Sequence, residues 1–266
     1  MRGPEKLLEH EDRWVTRMGK WFPGERVVFR GQDLHVDLAD MDWMALYLYG
    51  ITGRRFDEKQ LKMLNAIWTN TSFPEPRLWN NRVAALAGTA RSTATLGLAA
   101  AVAVSEAGIY GNRPALRAID FFWRTKKALD GGQVLGDFVK GEIEKFGRIY
   151  GYGRPITRTD ERIPYMLRLA KELGFDKGFC VRLAFDVERL LLEKNLRLQM
   201  NIAALGAALV ADMGFTSRDY HLFLALYFFA GMPPCFKDAN EQAEGAFFPL
   251  SCGRLVYEGA ARRVWG

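Results

Sequence analysis

"GYGRPITRTDERIPYMLRLAKELG", residues 151–174, decides the reading of this chain. Two glycines flank a tyrosine, and arginines and a Thr-Asp pair follow at once. The stretch then turns into a helix. Thr159 is placed to cap it, and Ile163, Met166, Leu167 and Ala170 are spaced as its apolar face. Glycine lets backbone approach a ligand closely. A helix start beside arginines suits an anion. The candidate anion contacts are Arg154, Arg158 and Arg162, with Gly151 and Gly153 shaping the loop. A plainer reading pairs Arg154 with Asp160 or Glu161 at a surface helix start.

The bulk numbers fit such a ligand. The chain has 266 residues, 49% hydrophobic and 26% charged, the balance of a globular protein able to bury a core. Net charge is +6, which favours an anionic partner. Lys and Arg are spread along the chain without a nucleic-acid motif, so a small phosphorylated or carboxylated ligand is preferred to nucleic acid. Cys180, Cys235 and Cys252 are odd in number and far apart, which argues against a disulfide framework and a zinc site. His10, His35 and His221 form no ligand motif, so no metal is expected. The opening MRGPEKLLEHEDRW has no apolar signal region. The longest apolar stretch, LGLAAAVAV at 96–104, is too short for a bilayer. These features predict a cytoplasmic protein with no membrane partner.

Most of the chain reads as helix. DMDWMALYLYGITG (40–53) fills a helical length that Gly53 stops. FDEKQLKMLNAIWTN (56–70) carries Leu61, Leu64 and Trp68 at helical spacing with acids in its first turn. The alanine-rich stretch 76–108 is expected in the middle of a packed bundle. Helices follow in 114–129, in 131–151 after a glycine break, in 181–195 and in 198–214. The apolar 216–232 is expected to be buried. Only ERVVFRGQDL (25–34) reads as a strand or hairpin. The fold class is all-α with a short N-terminal β segment.

The order of these segments resembles the citrate synthase family, in particular its short, citryl-CoA-lyase-like members. The likeness rests on WVTRM (14–18), 25–61, NNRVAALAGTARS (80–92), the opening 151–174 stretch, LRLQMNIAALGAALVADMGF (196–215) and LVYEGAARRVWG (255–266). It implies a two-domain helical homodimer. The large domain would comprise 1–111 and 215–266, the small one 112–214, closing over an acyl-CoA and an oxo-acid. Coenzyme A thioester would enter as substrate, with no covalently bound cofactor.

The resemblance also locates the site, and there the chain departs from the family. One family histidine falls at Tyr110. The histidine of the Gly-aromatic-Gly loop falls at Arg154, with Gly153 the alternative by one residue. The catalytic aspartate falls at Ala203, and an arginine that holds a substrate carboxylate falls at Phe228. Arg158 matches a position near CoA, and Arg162 one near the substrate carboxylate. Enolising a thioester needs a base and donors to developing oxyanions. Ala203 takes no proton, and arginine stays protonated. Tyr110 can donate but is a poor base. Plainer readings stand beside these: Tyr110 closing a turn, Ala203 making room for a helix contact, Phe228 in the core, and Arg82 with a structural partner. Trp14, Trp21 and Phe22 read either as dimer contacts or as ordinary packing.

Two functions follow. One is a carbon–carbon lyase or acyltransferase acting on an acyl-CoA or related carboxylic acid through a non-standard site. The other is an inactive member that binds CoA or a carboxylate as a sensor, or that partners an active paralogue.

Overall fold

The computed structural model describes residues 3–154, 157, 159–196, 198–244, 246 and 252–261. The chain opens with a short helix α1 (Pro4–Glu9). An antiparallel sheet follows, β1 (Gly19–Phe22), β2 (Arg26–Phe29) and β3 (Gln32–Asp33), in the order β1-β2-β3. The 25–34 stretch supplies β2 and β3. β1, with its Gly-Lys start, is an addition that the sequence did not signal. Everything after it is helical: α2 (Trp43–Thr52), α3 (Glu58–Thr71), α4 (Trp79–Thr89), α5 (Ala94–Val104), α6 (Arg113–Asp130), α7 (Leu135–Phe146), α8 (Arg162–Leu173), α9 (Phe179–Glu193), α10 (Ile202–Asp212), α11 (Ser217–Leu224) and α12 (Met232–Glu241). The fold is helical, as the periodicity requires.

Local chemistry sets several of these boundaries. Asp42 accepts from the Ala45 N–H at 2.7 Å and starts α2, and Gly53 ends it at φ 73°. Asp57 and Gln60 form a reciprocal capping box on α3. Thr159, by contrast, does not cap α8. The N-cap residue is Glu161, without a side-chain cap bond, and the Asp160 carboxylate receives the Arg162 N–H instead.

α10 is the centre of the main core. Its residues 204–211 are all buried, and they are small enough for α6 and α9 to pack closely on it. Phe122, Phe215, Tyr220 and Phe223 fill the space around it. A second layer is made by α4 and α5 under α12. Here the expectation of burial across 76–108 is corrected. The chain breaks at Arg91, where φ is 57°, and α5 buries only Gly97 and Ala101. An alanine helix is apolar all round, but α4 and α12 cover only one side of it. Leu96, 66% exposed, stands on the uncovered side. Arg82 on α4 donates to the carbonyls of Pro76 and Arg77, the structural partners the sequence asks for. Among the described residues no helix is long and apolar enough to cross a membrane.

The α4–α12 contact supplies a test. A Cβ on Gly88 would lie 2.3 Å from the Phe236 carbonyl oxygen, whereas one on Gly141 meets nothing within 4 Å. Gly88→Ala should cost about 1–3 kcal/mol by overpacking. Gly141→Ala, inside α7, should stabilise by roughly 0.5–1 kcal/mol. Urea denaturation of the two variants reads the difference, and equal midpoints would contradict this packing.

Candidate anion site at the start of helix α10

The glycine loop 151–153 lies on the N-terminus of α10. The Asn201 N–H donates to the Gly151 carbonyl at 2.9 Å, and the Gly153 N–H donates to the Gln199 carbonyl at 2.7 Å. The Asn201 side chain donates to the Gly153 carbonyl at 2.8 Å and accepts from the Ala203 N–H at 2.9 Å. Gly151 sits at φ 90°, and a Cβ there would lie 2.6 Å from the Ala204 Cβ. A side chain at 151 would therefore be strained and would push the loop off the helix. Tyr152 points inward and donates its hydroxyl to the Ala184 carbonyl at 2.8 Å.

A buried carboxylate ties this loop to α8 and α10. The Asp160 side chain is 0% exposed. It accepts two parallel bonds from the Arg162 guanidinium, both at 2.7 Å, and one from the Ile202 N–H at 2.9 Å. Burial alone would raise the Asp160 carboxyl. The Arg162 fork and the backbone donors outweigh it and hold the group below the usual carboxylate range. Burial likewise works to lower Arg162, and the bonds to Asp160 raise it above its ordinary value.

Arg154 makes a different ion pair. One of its terminal nitrogens donates to the Glu161 carboxylate at 2.6 Å and to the Thr159 carbonyl at 3.0 Å. The same nitrogen is 3.8 Å from Asp160. The Arg154 side chain is 27% exposed and that of Glu161 is 71% exposed. The hydrogen bond from Arg154 lowers the Glu161 carboxyl.

The structure thus gathers Gly151, Gly153, Arg154, Arg162 and Ala203 around one helix start. Arg158 lies outside the described residues. Phe228 is half-buried against the main core and stands edge-on to Tyr227, 4.8 Å between ring centroids. Both plainer readings of Phe228 and Arg154 therefore hold: the ring packs in the core, and the arginine pairs with the acids beside it. Tyr110 sits elsewhere in the contact network. It is at φ 53°, in a tight turn, edge-on to Trp79 at 6.2 Å. Among the described residues, no hydrogen bond, ion pair or ring contact joins it to Arg154 or Ala203.

Three contributors went unread in the sequence. Asn201 had a signal, since Asn before an apolar helical run is an N-cap. Asp160 had been paired only with Arg154, although its main partner is Arg162. Tyr227 had none. Its buried hydroxyl has no partner among the described residues, and burial pushes the phenol up, with the nearby Arg162 charge opposing.

A cavity of about 670 Å³ lies elsewhere, between α2, α3 and residues 226–230. Trp43, Trp68 and Phe229 line it, with Lys62 the one cation among its described lining residues, against Asp42 and Glu58. That charge balance does not suit an anion. The guanidinium cluster of 154–162 remains the better candidate, because buried charge there is already organised.

Asp160→Asn should cost about 3–5 kcal/mol, since it leaves the Arg162 charge buried and uncompensated. The Asp160 carboxyl is held below its unfolded value. Its contribution is therefore complete above an unfolded pKa of about 3.9 and is lost as pH falls through the lower folded value. Urea denaturation of Asp160→Asn should show that the variant lacks this acid-side loss. A change under about 1 kcal/mol at neutral pH would contradict the geometry, matching instead an exposed pair.

No protein-family model matches the sequence, and no curated protein matches it. Solved structures do. Citryl-CoA lyase from Hydrogenobacter thermophilus superposes with a TM-score of 0.82 at 19% identity, over 95% of this chain and 97% of that one. The Methanosaeta concilii ATP citrate lyase D541A mutant, in complex with (3S)-citryl-CoA, gives 0.76 at 18% identity, over 98% of this chain and 45% of that one. Thermoplasma acidophilum citrate synthase, in a ternary complex with carboxymethyl coenzyme A and oxaloacetate, gives 0.64 at 18% identity, over 85% and 59%. At such identities the likeness is one of fold, and the fold of this chain is that of citryl-CoA lyase and citrate synthase.

Proposed function

We propose that this protein binds an acyl-CoA, or a carboxylic acid of the kind such thioesters carry, without performing enolisation chemistry. The ligand would lie between a large lobe, 1–111 and 215–266, and a small lobe, 112–214. One observation carries the reading: among the described residues, the helix start that gathers the candidates holds cations and no free base. Ala203 has no proton acceptor. Asp160 and Glu161 are both committed to guanidinium groups that lower their basicity. Arg154 and Arg162 remain suited to an anion. The structures sharing this fold were solved with citryl-CoA, citrate or CoA analogues, which supports the ligand class. Unpaired Cys180 and Cys235 fit a reducing, cytoplasmic setting.

A catalytic reading, as a carbon–carbon lyase or acyltransferase, has one feature in its favour. Arg154 is a half-buried donor next to Gly153, able to face a developing oxyanion. Thermal unfolding with CoA, acetyl-CoA and citrate separates the readings when paired with a thiol-release assay. Binding at a hundred times Kd stabilises by about 2.7 kcal/mol, a rise of roughly 5 °C or more for a chain of this size. We expect that rise without thiol release. Release of CoA from citryl-CoA, lost in Arg154→Ala, would favour the catalyst. No shift with any of the three would overturn both.

We further propose a homodimer through α5. Its uncovered face carries exposed Leu96 and Val104, and Leu86 of the adjoining α4 is exposed as well; exposed apolar side chains grouped on such a face mark an interface. Leu96→Asp should convert the dimer to a monomer in light scattering. A wild-type monomer at micromolar concentration would rule this out.

A further inference from the structure

The two ion pairs at the start of α10 are unequal, and the difference bears on how a ligand enters. Asp160 is fully withdrawn from water, receives a bidentate fork and an additional backbone bond, and anchors two helices. It is a fixed part of the fold. Glu161 is 71% exposed. Its only described partner is Arg154, through one terminal guanidinium nitrogen. An exposed pair of this kind is weak and exchanges readily.

We propose that Glu161 is an internal, displaceable carboxylate that occupies Arg154 until a ligand carboxylate takes its place, and so sets the affinity and charge preference of the site. This rests on the ligand class proposed above. Among the described residues Arg162 is already neutralised by Asp160, so Arg154 is the cation a ligand can capture. Two described arginines and two carboxylates balance there, and releasing Glu161 to water leaves a positive charge for a ligand carboxylate. Glu161 swings out while the Thr159 carbonyl keeps its bond from Arg154.

The test is calorimetric titration of propionate, citrate and CoA into the full chain and its Glu161→Gln, Arg154→Ala and Arg154→Lys variants. Glu161→Gln removes the competing charge while keeping the side-chain size. It should bind propionate about two- to fivefold more tightly than wild type, the worth of an exposed ion pair. Arg154→Ala should lose carboxylate binding, and Arg154→Lys should retain part of it. If Glu161→Gln binds propionate equally or more weakly, the exchange is overturned, while CoA binding by wild type would leave the proposed function standing. If neither wild type nor Glu161→Gln binds any of the three, both fall. A Glu161 that serves only structure would lower the melting temperature on substitution and leave affinity unchanged.

Discussion

A carboxylate removed from water must be matched by donors, and Asp160 meets that demand by joining three parts of the chain. Its partners are the Arg162 fork at the start of α8 and the Ile202 N–H at the start of α10. The glycine loop 151–153 lies over the same α10 terminus, held by Asn201. The geometry of the candidate site is thus a consequence of one desolvated charge. Leaving either member of such a pair alone is costly, and so the arrangement is fixed. The protein supplies its own anion to the helix start, where positive dipole and unsatisfied N–H groups invite one.

That internal anion gives the substitutions a physical sense. A carboxylate at 203 would stand one residue from the Ile202 N–H that already serves Asp160. Two carboxylates so near each other raise one another's pKa, which is how a general base is tuned. With alanine at 203, that coupling is absent and Asp160 stays ionised. Arginine at 154 works in the same direction, since it adds a permanent positive charge and lowers Glu161. The local chemistry therefore runs towards holding charge and away from moving protons.

Much of the fold could be read in the chain because its signals are local. Asp42 with Gly53, and Asp57 with Gln60, mark helix ends by spacing alone. The small residues 204–211 announce a close-packed centre. Failures came where a partner distant in sequence decides. The apolarity of α5 shows that it avoids water but not which neighbour covers it. Thr159 lost its capping role because Asp160, next to it, reaches an amide 42 residues away. For the site, the loop and its arginines were legible from glycine and charge. Which acid pairs with which arginine was not, because that depends on the fold bringing 160 to 202. For Tyr110 the resemblance fixes only a chain position, while its φ of 53° and its contact with Trp79 match the turn reading that the sequence also offered.

The same separation explains how this fold persists at 14–19% identity to structures that superpose on most of the chain. Volume and polar satisfaction at α10 constrain the fold, and both tolerate change at its first turn. Ala203 there is only half-buried, packed against the edge of the core. Arg162 belongs to the constrained set, because removing it strands Asp160. Arg154 is tied in more loosely: its hydrogen bonds go to a solvated glutamate and a carbonyl, with Asp160 at 3.8 Å. Of the two described arginines, the one less tied to the fold is the one proposed for binding, and function at that position is free to vary without endangering the fold.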